Sequence, residues 1–173
     1  MFEFGERMAR MTYWFSTILL AAGLAGCASF IDRNLVPGVS NQGDAEKYVG
    51  SPTAKLSRAD GGATWYYSRQ PFGRQTWALH FDTAGTLATI DQVLDRDHLA
   101  KVTVGKTTAA EVRSILGPPY RIARMPRQKQ DSWEYWMTID SIPVHVFIQM
   151  ADDGMVREIV KSEDLSLDPG RWD

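Results

Sequence analysis

An internal repeat constrains this chain more than any other feature. Gly105 to Pro119 reads GKTTAAEVRSILGPP, and it aligns without a gap on Gly38 to Pro52, GVSNQGDAEKYVGSP. Each copy opens on Gly and closes on Gly, any residue, Pro: Gly50 and Pro52 in the first, Gly117 and Pro119 in the second. The correspondence continues downstream, where Trp65-Tyr66-Tyr67 falls on Trp133-Glu134-Tyr135 and Ala84-Gly85-Thr86-Leu87 falls on Asp153-Gly154-Met155-Val156. Two single-residue insertions are enough to keep the copies in step. A fixed period over most of a chain signals two copies of one structural unit.

Both copies write the ends of a short helix into their sequence. Thr108 with Glu111, and Asn41 with Asp44, place an acid three residues after a hydroxyl or amide side chain. That spacing lets the cap side chain accept from the first turn while the acid reaches back to the cap backbone. Gly117 and Gly50 suit the positive-φ residue that ends a helix, and the following proline forbids its continuation. Helices are expected over 41–49 and 108–116.

After each helix come alternating strand signals. The first repeat offers 64–68, 75–81 and 87–94, with Trp77, Leu79 and Phe81 on one face of the middle strand. The second offers 133–137, 144–150 and 155–161, with Pro143 at a tolerated strand start. Segments 51–63 and 120–131 read as connections, the second of them polar. The predicted fold class is therefore α+β, two tandem repeats of a short helix on a three-stranded antiparallel sheet. The boundaries are 38–94 and 104–161, with 95–103 as a charged linker and 162–173 as an acidic tail.

The N-terminus reads as a separate signal. Arg7 and Arg10 precede an apolar run from Tyr13 to Ala25 that is too short to span a bilayer, which needs about 20 residues, but suits a signal peptide over 1–26. The run ends in Leu24-Ala25-Gly26-Cys27, and Cys27 is the chain's one cysteine. This resembles the lipobox of bacterial lipoproteins, which implies cleavage before Cys27, acylation of it, and a tether over 27–37. Each buried CH₂ of such an anchor contributes about 0.8 kcal/mol. No Asp follows Cys27, and in the sorting pattern this resembles, that implies the outer membrane, periplasmic face. The net charge of −2 gives no footing for nucleic acid as a partner.

Several stretches approach known chemistry without reaching it. Ala100 to Thr107, AKVTVGKT, fits a relaxed phosphate-loop pattern, yet Val102, Thr103 and Val104 are β-branched and resist the tight nest such a loop needs. Its repeat copy has Val39 where Lys106 stands. Asp95, Asp97 and His98 crowd one short linker with no further ligand cluster elsewhere. His80 and His145 stand on middle strands at different phases of the repeat. No catalytic set, metal site or cofactor is expected.

The remaining features are surfaces. Trp65, Tyr67, Trp133 and Tyr135 are candidate interaction residues, on the expectation that part of each aromatic cluster lies on the open sheet face. Arg121, Arg124, Arg127 and Lys129 form a basic loop that could meet anionic headgroups or an acidic partner.

A lipobox followed by Gly105, Thr107, Glu111, Val112, Leu116, Gly117 and Pro119, then a Trp133 strand, resembles the SmpA/OmlA (BamE-like) family of outer-membrane lipoproteins. The resemblance covers 102–161 well and 38–94 more loosely. It implies a non-enzymatic scaffold or accessory factor in the assembly of β-barrel outer-membrane proteins, held to outer-membrane lipid through Cys27 and touching an envelope protein. A typical member has one such unit, whereas this chain has two. The tandem arrangement is similar to that of secreted β-lactamase inhibitory proteins, which implies the alternative of a tethered inhibitor of a periplasmic enzyme.

Overall fold

The computed structural model describes Ile31, Asn34 and residues 35–164. The expected signal peptide, Cys27, most of the expected tether and residues 165–173 lie outside the described residues. The segment through Asn34 and the body from Leu35 are separate compact units. In the first, Ile31 and Asn34 are helical; the second holds both repeats.

The first repeat runs α1 (Gln42–Val49), β1 (Ala54–Ser57), β2 (Ala63–Ser68), β3 (Thr76–Phe81) and β4 (Leu87–Gln92). A short helix, α2 (Arg96–Ala100), leads into the second: α3 (Ala109–Leu116), β5 (Arg121–Met125), β6 (Gln130–Ile139), β7 (Ile142–Ala151) and β8 (Val156–Glu163). The fold is α+β with two four-stranded antiparallel sheets, ordered β1-β2-β3-β4 and β5-β6-β7-β8. No helix among the described residues is long and apolar enough to cross a membrane.

Three expectations are corrected here. Each sheet has a fourth strand, β1 or β5, inside a segment read as a connection. Both are short edge strands: β1 alternates half-buried and exposed residues, and β5 is exposed along most of its length. Neither carries the apolar run that marks a buried strand. The charged linker is likewise helical, because Asp95 caps α2 by accepting from the His98 backbone N–H at 2.8 Å. β8 also continues past Lys161 to Glu163.

The repeats agree bond for bond. Both helices carry complete capping boxes, Asn41 with Asp44 and Thr108 with Glu111. The Thr108 backbone and side-chain donors hold the Glu111 carboxyl below its ordinary range. Gly38 donates to Leu87 O at 2.7 Å, and Gly105 donates to Val156 O at 2.8 Å. The Val36 N–H donates to Ser40 Oγ at 2.9 Å, as Thr103 N–H does to Thr107 Oγ1 at 2.8 Å. Val36, assigned to the tether, is therefore already tied into the first repeat. Even the β-bulges correspond, at His80/Phe81 and Gln149/Met150.

The core lies between each sheet and its own helix. In the second repeat Val112 and Leu116 of α3 and Leu99 of α2 pack with Trp133, Tyr135, Met137, Val146 and Ile148. These residues share one face of β6 and β7, as period-2 geometry requires. In the first repeat the matching face carries Trp65, Tyr67, Leu79 and Phe81, all buried, with the Trp65 and Phe81 rings 5.0 Å apart. Lys55 of β1 reaches Glu46 of α1 at 2.8 Å on this side.

The opposite faces of the two sheets differ. That of sheet 1 is closed: Tyr66, Ala78 and Val93 form a second cluster there. The Tyr66 hydroxyl donates to Ser114 O, at 2.7 Å, in the last turn of α3. Burial pushes the Tyr66 phenol up to about 12. That of sheet 2 leaves Arg121, Ala123, Glu158 and Val160 exposed.

Candidate functional site: the open face of sheet 2

Strand register lays the open face out in rows. Arg121, Glu134, Phe147 and Val160 face one another across the four strands, and the next row is Ala123, Ser132, Gln149 and Glu158. Beyond Glu134, Trp136 pairs with His145. Side chains in one row share a face, because directly opposed residues in a sheet point the same way.

Glu134 anchors the polar part. Its side chain is 6% exposed, and its Oε2 accepts from Arg121 Nε at 3.0 Å and Nη2 at 2.8 Å. Its Oε1 accepts from Trp136 Nε1 at 2.8 Å, with His145 Nδ1 at 3.3 Å. A buried carboxylate needs this much compensation, since desolvation strongly disfavours an unpaired charge. His145 Nε2 lies 3.3 Å from Asp164 Oδ2, and Asp164 also pairs with Arg74. The Trp136 indole stacks on the His145 ring at 4.8 Å and meets Tyr120 at 5.0 Å.

The first repeat reaches this face through its β2–β3 loop. Gln70 Oε1 accepts from the Trp136 backbone N–H at 2.7 Å, and Arg74 lies 5.6 Å from the Trp136 ring. The loop and the Tyr66–Ser114 bond thus clamp the second repeat at two places. The edge of the open face is built by both halves of the chain.

The apolar part centres on Phe147, half-buried, and Val160, exposed. Between them and β5 lies a hollow of about 220 Å³. It exists because Ala123 and Ser132 are small where the neighbouring row is large.

The structure redistributes the candidate residues. Trp65, Tyr67, Trp133 and Tyr135 are 6%, 6%, 5% and 0% exposed, so none offers an open-face ring. They occupy the phase of the strand that faces the helix, and the core takes it because that face carries the apolar partners. Burial pushes the Tyr67 phenol up to about 12 and the Tyr135 phenol higher still. Of the basic set, Arg121 lies on the open face. Arg124 is on the other side of β5, tied to Asp131 at 3.2 Å and Asp152 at 2.7 Å. Arg127 and Lys129 sit exposed at the β5–β6 turn. The four cations are thus spread over a hairpin rather than gathered in one loop.

The phosphate-loop resemblance is resolved by hydrogen bonding. Gly105 N–H is taken by Val156 O, and Lys106 and Thr107 N–H both point to Thr103 O. Thr103 N–H is taken by Thr107 Oγ1. These donors close a turn and leave no cradle for an anion. Asp95 Oδ1 accepts from His98 Nδ1 at 2.9 Å as well as from its backbone, so the acid serves the cap. Among the described residues no group of three His, Cys, Asp or Glu could hold a metal. His80 and His145 are half-buried on corresponding sheet faces.

Sequence reading does not single out Glu134, Phe147, Arg74 or Asp164; it includes Trp136 only in the aromatic cluster and His145 only as a middle-strand residue. One signal was available: in Trp133-Glu134-Tyr135 the acid sits between two aromatics, so the Glu phase is the open one.

No family model matches this chain, and no curated protein does. Among solved structures it is similar to a DUF4309 family protein (YjgB) from Bacillus subtilis subsp. subtilis str. 168, at 14% identity over 76% of this chain and 84% of that one, TM-score 0.31. It is also similar to a "putative beta-lactamase inhibitor protein" from Streptococcus mutans, at 8% identity over 76% and 92%, TM-score 0.30.

Proposed function

We propose that this chain is a protein-binding module, anchored through acylated Cys27 at the periplasmic face of the outer membrane. It holds an envelope protein against the open face of sheet 2 as a scaffold or accessory factor in β-barrel outer-membrane protein assembly. The observation that carries the reading is an asymmetry between equivalent surfaces. The sheet 1 face is closed by Tyr66 and the end of α3, while the sheet 2 face presents Phe147, Val160 and Trp136 around a buried, fully paired Glu134. Aromatic and aliphatic anchors beside a buried carboxylate paired with an exposed arginine fit the anchor-and-rim make-up of interfaces.

The test is a crosslinking pull-down of the full lipoprotein from detergent-solubilised envelopes, with Cys27→Ser as the mislocalised control and Val160→Glu as the face control. Recovery of barrel-assembly subunits by the anchored wild type, lost in both controls, supports the reading. Recovery of one periplasmic hydrolase whose activity is blocked at equal stoichiometry moves the function to a tethered inhibitor working from the same face. Recovery unchanged by Val160→Glu removes the face from the proposal.

A further inference from the structure

The hollow beside Phe147 has a polar floor with one unmatched group, and that group restricts what fills it. Gln130 Nε2 donates to Gln149 Oε1 at 3.4 Å, and Gln149 Nε2 donates to Ser132 Oγ at 3.1 Å. Ser132 and Gln149 are 5% and 7% exposed. The relay therefore ends on the Ser132 hydroxyl, whose own hydrogen has no acceptor among the described residues. Around it stand Ala123, Met125, Phe147 and the Arg121 wall.

Three kinds of side chain fit badly. A purely apolar anchor would expel water and leave the Ser132 donor unpaired, which costs about 1–3 kcal/mol. A carboxylate would meet Glu134, which lines the hollow and already accepts from Arg121 through both Nε and Nη2. A cation would meet Arg121 and a floor whose open group is a donor. A neutral carboxamide meets none of these penalties: its carbonyl takes the Ser132 hydrogen, its NH₂ faces solvent or the partner, and its methylene stem lies on Met125 and Phe147.

We propose that the hollow is a specificity pocket for an uncharged carboxamide, the Asn or Gln side chain of the protein partner docked on this face. The proposal rests on the partner-binding reading of the open face and adds the identity of one anchor.

The test is side-chain amide NMR of the full-length ¹⁵N-labelled chain in detergent micelles. It is titrated separately with the N-acetyl methylamides of glutamine, glutamate, lysine and norleucine. Glutamine is expected to give saturable shifts of the Gln149 and Gln130 side-chain amides, tighter than the other three. Ser132→Ala is expected to raise its Kd about fivefold, the loss of one hydrogen bond. Ala123→Leu, which fills the hollow from another strand and leaves Ser132 in place, is expected to abolish the shifts. No saturable shift, an equal or tighter fit of another probe, or indifference to both substitutions overturns the proposal. Partner recovery is read separately, so a face that binds its partner while the pocket ignores glutamine defeats the pocket alone.

Discussion

The phenolic hydroxyl of Tyr66 donates to the backbone carbonyl of Ser114 at 2.7 Å, fastening sheet 1 to the last turn of α3. Its neighbour Tyr67 points the other way, into the core between α1 and the sheet, and its hydroxyl is buried without a hydrogen-bond partner. Two adjacent tyrosines therefore call for opposite outcomes. Tyr66→Phe is expected to lose about 1 kcal/mol of unfolding free energy. Tyr67→Phe, which removes a desolvated and unpaired hydroxyl, is expected to be neutral or stabilising. Urea unfolding of the two variants checks the pair.

The helix-ending glycines separate backbone strain from crowding. Both have positive φ, 93° at Gly50 and 75° at Gly117. A Cβ on Gly50 would meet nothing within 4 Å, whereas one on Gly117 would come 2.8 Å from the Tyr66 ring and 3.0 Å from Thr76. Gly50→Ala is expected to cost about 1 kcal/mol from conformation alone. Gly117→Ala is expected to cost more by a further 1–3 kcal/mol or so, the usual range for overpacking. Thermal melts compare them directly, and equal losses would mean that α3 does not press on sheet 1.

Burial lowers the His80 pKa from its ordinary 6.5, with Arg58 and His98 adding in the same direction and Asp91 opposing. The sign follows from proton counting. Between the lowered folded value and 6.5, the unfolded chain binds more protons, so stability falls as pH drops through 6.5 and levels off below the folded pKa. His80→Gln removes this contribution and places there the residue type that Gln149 supplies at the corresponding bulge of sheet 2. The variant is expected to lose less stability than wild type between pH 7.5 and 5.5. An identical pH slope would contradict the assignment.

Glu134 depends on its partners. Arg121→Met removes the cation that donates twice to a carboxylate 6% exposed, and is expected to destabilise by about 1–3 kcal/mol. The double change Arg121→Met with Glu134→Gln is expected to recover part of that loss, because no uncompensated charge stays buried. A double-mutant cycle with no coupling would show the pair to be idle.

Much of this fold was legible because its signals are local. Thr108 with Glu111, and Gly117 before Pro119, specify a helix and its ends within a dozen residues, and their copies at Asn41, Asp44, Gly50 and Pro52 repeat the instruction. The edge strands were not legible. Ala54–Ser57 carries one large aliphatic residue, Leu56, and Arg121–Met125 sets Ile122 and Ala123 between two arginines; each becomes a strand only by pairing with the strand that follows it, β2 or β6. The aromatic phase was misassigned for a related reason. Trp133 and Tyr135 look like ready binding residues, but the partners that bury them, Val112 and Leu116 among them, lie outside their strand. The candidate site was legible least, since Arg74, Trp136, His145 and Asp164 meet only when the β2–β3 loop of one repeat folds over the sheet of the other.

The most direct test of the central claim is site-specific photocrosslinking in intact cells, with a benzophenone amino acid placed at Phe147 or Val160. Val104, exposed in the turn before α3, serves as the control position. The open face as a docking surface predicts one discrete protein adduct from 147 and 160, none from 104, and loss of the adduct with Cys27→Ser. Adducts of equal yield from 104, or none from the face while the anchored protein is abundant, would contradict it.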